Sequence, residues 1–276
     1  MSAIVSLLRR RIPESRRVYI RPAALYHGSR NIAALFSAPG RAPTHTKPMW
    51  TRFKLRYLNP ITDPTPVIML DFDGVVADSL EIFHTEFAAA CRELGYDQLS
   101  SKEALLKLFE GNIIREIIRA GFPVRRLKQL AIQFAPRIQE ANRHVQAFPG
   151  MPEVVSDLAA AFPLYVISSN QTRSIEDFID RHAITGVREV IGADKESSKV
   201  KKIRRVMALH PGRACYYVGD TKGDMIEAHA ARVTSVAAAW GWHSPDKLGE
   251  ADPHHMLHSP QELHEFFHTR TVTTEG

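Results

Sequence analysis

Short runs of consecutive apolar residues recur along the chain from residue 67 onward, and small polar or acidic residues follow most of them. Such runs, when bounded by turn residues, are typical of strands buried on both faces of a sheet. Segments with apolar residues three and four positions apart, which predict helices, separate most of the runs. Strands that alternate with helices indicate an α/β protein with a doubly wound, Rossmann-like parallel sheet. The predicted strands cover residues 66–70, 164–167, 187–191, 215–218 and 235–239.

One stretch, residues 79–147, has no strand-like alternation and reads throughout as helices. Its first helix follows an N-cap signature at Asp78. We therefore predict an all-helical insertion between two parts of an α/β core, residues 66–78 and residues 148–268. The other helices of the insertion are expected over residues 102–110, 112–120 and 124–144, with a bend or a break at Pro136.

The first 65 residues differ in composition from the rest of the chain. Residues 1–66 hold twelve basic and two acidic side chains, a balance of +10, so the other 210 residues carry −4 of the net +6. An Arg-rich segment with few acidic residues is typical of an organelle transit peptide or a disordered basic tail. A true start at Met49 is a third interpretation. We expect residues 1–65 to be a leader outside the folded core, with a cytoplasmic location as the default and a mitochondrial one as the alternative.

The overall composition excludes several classes of protein. A chain of 276 residues that is 44% hydrophobic and 24% charged is expected to fold as a soluble protein. No apolar stretch approaches the roughly 20 residues of a membrane span. Cys91 and Cys215 are the only cysteines, so a disulfide framework is not expected and a reducing compartment is the default. Nucleic-acid binding by the leader is disfavoured because its charges lack interleaved stacking aromatics.

Side chains suited to metal and phosphate chemistry follow the predicted strands. Because residues alternate sides along a strand, the two aspartates after the first strand project to the same side, at the carboxyl edge of the sheet. Several carboxylates at one edge repel one another unless a hard cation such as Mg²⁺ lies among them. A lysine and a serine hydroxyl would supply a positive charge and a donor for a phosphate. The candidate residues are Asp71, Asp73, Ser168, Lys199, Asp220 and Asp224.

The order of these residues resembles the four motifs of the haloacid dehalogenase superfamily of phosphohydrolases, over about residues 66–265. A helical insertion between the first and second motifs resembles the cap of the subgroup that includes phosphoglycolate phosphatases and β-phosphoglucomutases. The resemblance implies a core with a mobile cap and a Mg²⁺-dependent phosphatase acting on a small soluble phosphomonoester, with a phosphoglycolate-like acid as the leading substrate. The matching segments are Asp71-Phe72-Asp73-Gly74-Val75, Ser168, Lys199, and Gly219-Asp220 with Asp224.

The resemblance also implies a role for each residue. Asp71 would attack phosphorus to form an aspartyl-phosphate, and Asp73 would protonate the leaving oxygen and then activate water. Lys199 would neutralise negative charge on the nucleophile and the phosphoryl group. The substrate would be held by Ser168, Ser169, Asn170 and Arg115, and the Mg²⁺ by Asp71, the main-chain carbonyl of Asp73, Asp220 and Asp224.

Two of these assignments stay open at the level of the sequence. Lys195 and Lys201 are rivals of Lys199 for the catalytic lysine, since all three lie in one basic segment. Arg115 lies near a turn of the cap that could face the site, where it would meet a substrate carboxylate by a bidentate contact. A solvated arginine on a helix surface is the alternative interpretation of Arg115.

Other functions are weighed against the phosphatase. The mutase branch resembles this sequence and keeps Asp73, but it usually has a His where this chain has Phe83, with His84 beside it. A non-catalytic protein that binds a partner through the basic leader is a further alternative. The expected partner is a small phosphorylated metabolite, and the expected state is a monomer or a homodimer. Three histidines are interpreted as part of a short last strand rather than as a metal site, namely His254, His255 and His258.

Overall fold

The structure of the chain is a computed structural model that describes residues 65–272. The predictions for the leader, including those for Met49, lie outside these residues. Residues 65–272 contain eight strands, of which six form the main sheet and two form a small antiparallel pair. The strands are β1 (Val67–Leu70), β2 (Ala77–Asp78), β3 (Gln146–Ala147), β4 (Leu164–Ile167), β5 (Glu189–Ile191), β6 (Cys215–Gly219), β7 (Thr234–Ala238) and β8 (His255–Leu257).

The main sheet is parallel throughout, with the order β5-β4-β1-β6-β7-β8. β1 lies in the middle, with Leu70 opposite Val166 of β4 and Val218 of β6. The chain runs from β1 outward to β5 on one side and then returns to β6 on the other. The strand order therefore reverses beside β1, which is where open α/β sheets bind ligands at the carboxyl ends of their strands. This architecture confirms the predicted doubly wound, Rossmann-like fold.

Alternate residues of β1 pack on opposite faces of the sheet, as a strand requires. Ile68 and Leu70 join one apolar cluster, whereas Val67 and Met69 join another, and all four side chains are fully buried. Helices cover both faces. The helices are α1 (Leu80–Glu93), α2 (Lys102–Leu108), α3 (Ile113–Arg119), α4 (Leu127–Ala141), α5 (Met151–Ala161), α6 (Thr172–Arg181), α7 (Lys199–Leu209), α8 (Lys222–Ala231), α9 (Pro245–Gly249) and α10 (Pro260–Val272).

The inserted segment contains α1 to α4 and has an apolar cluster largely of its own. Phe87 of α1, Leu105 of α2, Ile117 of α3 and Phe134 of α4 are fully buried in it. The chain enters and leaves the segment through β2 and β3, where Ala77 pairs with Ala147. The antiparallel pair was not predicted, because two-residue strands carry no readable alternation.

The predicted N-cap at Asp78 and the predicted break at Pro136 are wrong. α1 begins after Ser79, which makes no side-chain capping bond, and Asp78 lies in β2 instead. α4 runs without a break through Pro136. Proline removes one hydrogen bond to the carbonyl four residues earlier, here that of Ile132. Both residues are exposed, so water can satisfy this carbonyl and the helix continues.

Cys91 and Cys215 are buried free thiols. Among the helices of residues 65–272, none is both long enough and apolar enough to cross a membrane.

Candidate active site

Three buried aspartates meet at the carboxyl edge of the sheet. Asp71 follows β1, Asp220 follows β6, and Asp224 lies in the first turn of α8. One carboxylate oxygen of each lies within 4.8 Å of the others, which is a spacing that could hold a metal ion. The parallel sheet thus brings together residues about 150 positions apart in the sequence.

Lys199 supplies the positive charge of the cluster. It is the first residue of α7, and its Nζ lies 2.8 Å from Asp71 Oδ2 and 2.6 Å from Asp224 Oδ1. The two rival lysines lie elsewhere: Lys195 donates to the carbonyl of Val190, and Lys201 is exposed. The structure therefore places Lys199, rather than either rival, against Asp71.

The two aspartates of the fourth motif have different surroundings. Asp224 is fully engaged: Oδ1 accepts from Lys199 and from the Tyr217 hydroxyl, and Oδ2 accepts from the backbone N–H and the hydroxyl of Thr221. Asp220 Oδ2 accepts from the backbone N–H of Trp242 at 2.8 Å. Asp220 Oδ1 is buried and has no hydrogen-bond partner among the described residues.

The backbone packs closely around Asp220 to hold this arrangement. A Cβ on Gly74, which has φ +75°, would lie 1.7 Å from Asp220 Oδ2, and a Cβ on Gly241 would lie 2.3 Å from Asp220 Cβ. Only glycine fits these two positions, which explains the Gly that follows Asp73. The packing holds Asp220 in one orientation, in which Oδ1 is the free acceptor.

The electrostatics of the cluster favour a bound cation. Burial raises the pKa of Asp71 to about 7, with Lys199 lowering it and Asp224 raising it. Burial and the charges of Asp224 and Asp71 raise the pKa of Asp220 well above its usual value. Burial also acts to raise the pKa of Asp224, but Lys199, Thr221 and Tyr217 together hold it below its usual value. Three ionised carboxylates facing one ammonium would leave an excess of negative charge, and an orphaned carboxylate oxygen is a donor that Mg²⁺ prefers. The residues present therefore fit a divalent cation.

The second aspartate of the first motif, Asp73, contacts the loop after β4. Its Oδ2 accepts from Asn170 Nδ2 at 2.7 Å, and burial raises its pKa. Ser168 is fully buried, and its Oγ accepts from the backbone N–H of Asn170 at 3.0 Å. Ser169 and Asn170 line the pocket above the cluster, whereas Ser168 does not. Asn170 thus connects the loop to Asp73.

The inserted segment contributes one side of this pocket. Phe83 and Phe109 contact Trp242 of the core, with ring centroids 5.2 and 4.8 Å apart. The backbone N–H of Gly223 donates to the Phe109 carbonyl at 3.0 Å. Arg115 is exposed and does not line the pocket, and its backbone N–H donates to Asn112 Oδ1.

Several residues at the site were not among the candidates identified from the sequence. Trp242 follows β7, and Tyr217 lies inside β6, a strand that was predicted from its apolar run. Glu227 of α8 also lines the pocket. Lys202 is buried under the site and donates to the Ser168 carbonyl. The polar groups of Tyr217 and Lys202 were the available signal, because such groups are rarely buried without a partner.

The three histidines near the C-terminus serve the fold. His254 Nδ1 lies 2.7 Å from the Ser235 hydroxyl, His255 lies in β8, and the backbone N–H of His258 donates to Glu262. Within residues 65–272, the aspartate cluster is the only group of side chains spaced to hold a metal.

The burial of Lys202 leads to a prediction about stability. Burial, assisted by the charge of Lys199, lowers the pKa of the Lys202 ammonium from 10.5 to about 8. Between these values the folded state binds fewer protons than the unfolded state, so this group makes the free energy of unfolding rise with pH. From pH 7.5 to pH 10 we expect wild type to gain up to about 3 kcal/mol relative to Lys202→Met in urea titrations. An unchanged difference between the two proteins would contradict this expectation.

A parallel α/β sheet with buried carboxylates and a lysine at its carboxyl edge, faced by a helical segment, defines an enzyme whose site suits a cation and an anionic substrate. The family model for haloacid dehalogenase-like hydrolases matches residues 68–238, which is more than half of the chain, so the chain belongs to this family.

Individual relatives agree with this membership. The chain is 27% identical over 201 residues to phosphoglycolate phosphatase of Synechococcus elongatus, covering 71% of this chain and 94% of the relative. It is 24% identical over 210 residues to phosphoglycolate phosphatase of Vibrio cholerae, covering 68% and 90%. A haloacid dehalogenase-like hydrolase from Streptococcus pneumoniae has the same fold, with a TM-score of 0.63, 22% identity, and coverage of 74% and 98%. The predicted superfamily and the predicted enzyme class, a phosphoric monoester hydrolase, are confirmed.

Proposed function

We propose that the chain is a Mg²⁺-dependent phosphatase that hydrolyses a small soluble phosphomonoester through an aspartyl-phosphate on Asp71. The observation that carries this proposal is the buried cluster of Asp71, Asp220 and Asp224 around the Lys199 ammonium. A cation and a lysine together offset the charge that an approaching phosphate adds to a carboxylate site.

Asp71 is the proposed nucleophile. Its Oδ1 accepts from the backbone N–H of Phe72 at 2.8 Å and its Oδ2 accepts from Lys199, so the carboxylate is held in one orientation. In the first step an Asp71 oxygen forms a bond to phosphorus as the bond from phosphorus to the ester oxygen breaks. Lys199 lies where it can bind both the attacking carboxylate and an oxygen of the phosphoryl group.

Asp73 is the proposed acid and base. Burial raises its pKa, which favours the protonated form that a general acid needs, and Asn170 orients its carboxyl group. In the first step Asp73 gives its proton to the leaving ester oxygen. In the second step the Asp73 carboxylate takes a proton from a water that attacks phosphorus, which releases inorganic phosphate and restores Asp71.

The proposed ligands of the Mg²⁺ are Asp220, through its free Oδ1, together with Asp71 and the main-chain carbonyl of Asp73. When bound, the ion neutralises negative charge on the carboxylates and on the phosphoryl group. Asp224 was included among the ligands from the sequence. Because both of its oxygens already accept two hydrogen bonds, we assign Asp224 mainly to holding Lys199.

The proposed substrate is phosphoglycolate or a similar small acid. The support is the name of the two relatives and the size of the match, which covers nine-tenths or more of each relative. We further propose that residues 79–147 form the cap over the core of residues 66–78 and 148–268. The cap contributes Phe83, Phe109 and Asn112 to the pocket, so substrate choice is expected to depend on it.

The mutase alternative gains no support from the site. Phe83 lines the pocket with a side chain that cannot carry a proton. The Nε2 atom of the neighbouring residue, His84, lies 2.9 Å from the Ser100 carbonyl oxygen, within the proposed cap. A phosphatase needs no base at either position.

The test is a panel of phosphomonoesters that includes phosphoglycolate, glucose 1-phosphate and p-nitrophenyl phosphate. We expect inorganic phosphate release from at least one ester, dependent on Mg²⁺ and abolished by EDTA. Conversion of the glucose ester without net phosphate release would favour the mutase. No release from any ester, with the full chain and with a chain starting at Met49, would overturn the proposed function.

A further inference from the structure

The hydroxyl of Tyr217 lies beneath the proposed site, although Tyr217 cannot touch a substrate. Tyr217 is in the middle of β6 and is fully buried. Its hydroxyl donates to Asp224 Oδ1 at 3.0 Å, the same oxygen that lies 2.6 Å from Lys199 Nζ. Lys199 Nζ in turn lies 2.8 Å from Asp71 Oδ2. A continuous chain of polar contacts therefore connects the Tyr217 hydroxyl with the proposed nucleophile.

Lys199 needs such support because a lysine is a point charge on a flexible four-carbon stem. It has two carboxylate partners, and a bound phosphate would be a third. The Asp224 carboxylate fixes one side of the ammonium only if the carboxylate itself cannot rotate. Thr221 holds Oδ2 with two hydrogen bonds, and Tyr217 holds Oδ1.

The Tyr217 ring limits the lysine in a second way. Lys199 Nζ lies 5.9 Å from the centroid of the ring, within the range of a cation–π contact. Phenylalanine would preserve the aromatic ring beside Lys199 and fill the same volume in the strand. The specific contribution of tyrosine at this position is therefore its hydroxyl, which would be costly to bury without an acceptor.

We propose that Tyr217 is a positioning residue for phosphoryl transfer, which through Asp224 fixes Lys199 Nζ against Asp71. This inference rests on the proposed function for its kinetic consequence, but not for its structural one.

The first test is kinetic and uses the full chain with its most active ester. Tyr217→Phe removes the hydroxyl and preserves the ring. We expect kcat to fall about 10- to 100-fold while KM changes by less than about threefold, because Lys199 acts mainly when charge develops in the transition state. The fall should disappear when Tyr217→Phe is added to Lys199→Met, because both changes act through the same ammonium.

A matched control is available in the same sheet. Tyr165 in β4 is also buried, and its hydroxyl lies 2.8 Å from His210 Nε2, outside the site. Tyr165→Phe likewise removes a hydroxyl that makes a side-chain hydrogen bond and preserves the ring, so only Tyr217→Phe should lose kcat. Equal kcat in wild type and folded Tyr217→Phe would overturn the proposal, as would a full additional loss on the Lys199→Met background.

The second test needs no activity. In a crystal structure of Tyr217→Phe we expect Lys199 Nζ to move more than 3.5 Å from Asp71 Oδ2 or to occupy several positions. A lysine that keeps its wild-type contacts would overturn the proposal. If wild type hydrolyses no ester, the proposed function fails, and the position of Lys199 still decides the inference about Tyr217.

Discussion

Asp71→Asn is expected to lower phosphate release by about 10⁴-fold or more while the chain stays folded. Asparagine keeps the shape of the side chain, but its amide oxygen is a poor nucleophile toward phosphorus, so the aspartyl-phosphate does not form. Burial raises the pKa of Asp71 to about 7, so at pH 8 the ionised carboxylate opposes folding. The melting temperature of the variant should therefore equal or exceed that of wild type. Phosphate release at pH 8 with Mg²⁺, together with thermal unfolding, measures both effects.

Asp78→Asn is the matched control for this variant. Asp78 lies seven residues later in β2, and its side chain is exposed. The same chemical change there should leave phosphate release close to wild type. If Asp71→Asn were active, or if it lost activity only by unfolding, Asp71 would not be the nucleophile.

Without a bound cation, the buried carboxylates of the site lower the stability of the fold. Asp71 and Asp220 have raised pKa values because burial penalises their charged forms. A surface carboxylate would avoid this cost, but there its charge would be screened by water. The protein therefore holds charge in a strained electrostatic state that a cation and a phosphoryl group can relieve.

The central sheet could be predicted from the sequence because parallel strands are buried on both faces. The predicted strands over 164–167 and 215–218 lie within one residue of β4 and β6. Once the strands are placed, the rule that ligands bind at their carboxyl ends brings Asp71, Asp220 and Lys199 together. The core of the site therefore followed from periodicity and motif order.

The details of the site depend on tertiary packing, which local patterns do not encode. Asp220 and Asp224 look alike in the sequence, yet their hydrogen bonds differ. Thr221 and Tyr217 donate to both oxygens of Asp224, whereas the backbone N–H of Trp242 donates to only one oxygen of Asp220. The position of Arg115 near a turn of the inserted segment made it a candidate substrate ligand, but α3 places its side chain on the exposed side. On the aromatic side of the pocket, Phe83 contacts Trp242, although 159 positions separate them in the chain.

Mg²⁺ is expected to raise the melting temperature of wild type, and Asp220→Asn is expected to abolish this increase. A ligand at about 100 times its Kd stabilises a protein by about 2.7 kcal/mol, which corresponds to roughly 5–10 °C for a chain of this size. Asp220 provides the free oxygen of the cluster. Loss of the Asp220 carboxylate should therefore weaken Mg²⁺ binding more than any other single change. Thermal unfolding over a Mg²⁺ titration measures the effect without any substrate.

Without Mg²⁺, the same substitution should raise the melting temperature. Burial and the charges of Asp224 and Asp71 raise the pKa of Asp220 in the folded state. Ionised Asp220 therefore destabilises the fold once the pH exceeds the pKa that this group has in the unfolded chain. Without Mg²⁺, Asp220→Asn should therefore melt above wild type at pH 8, and this difference should shrink toward pH 5. Asp246→Asn, an exposed aspartate of α9, is the control and should keep the full response to Mg²⁺. Asp220→Asn with a wild-type response to Mg²⁺ would show that the ion binds elsewhere, whereas a metal-free melting temperature below wild type would show that the carboxylate supports the fold.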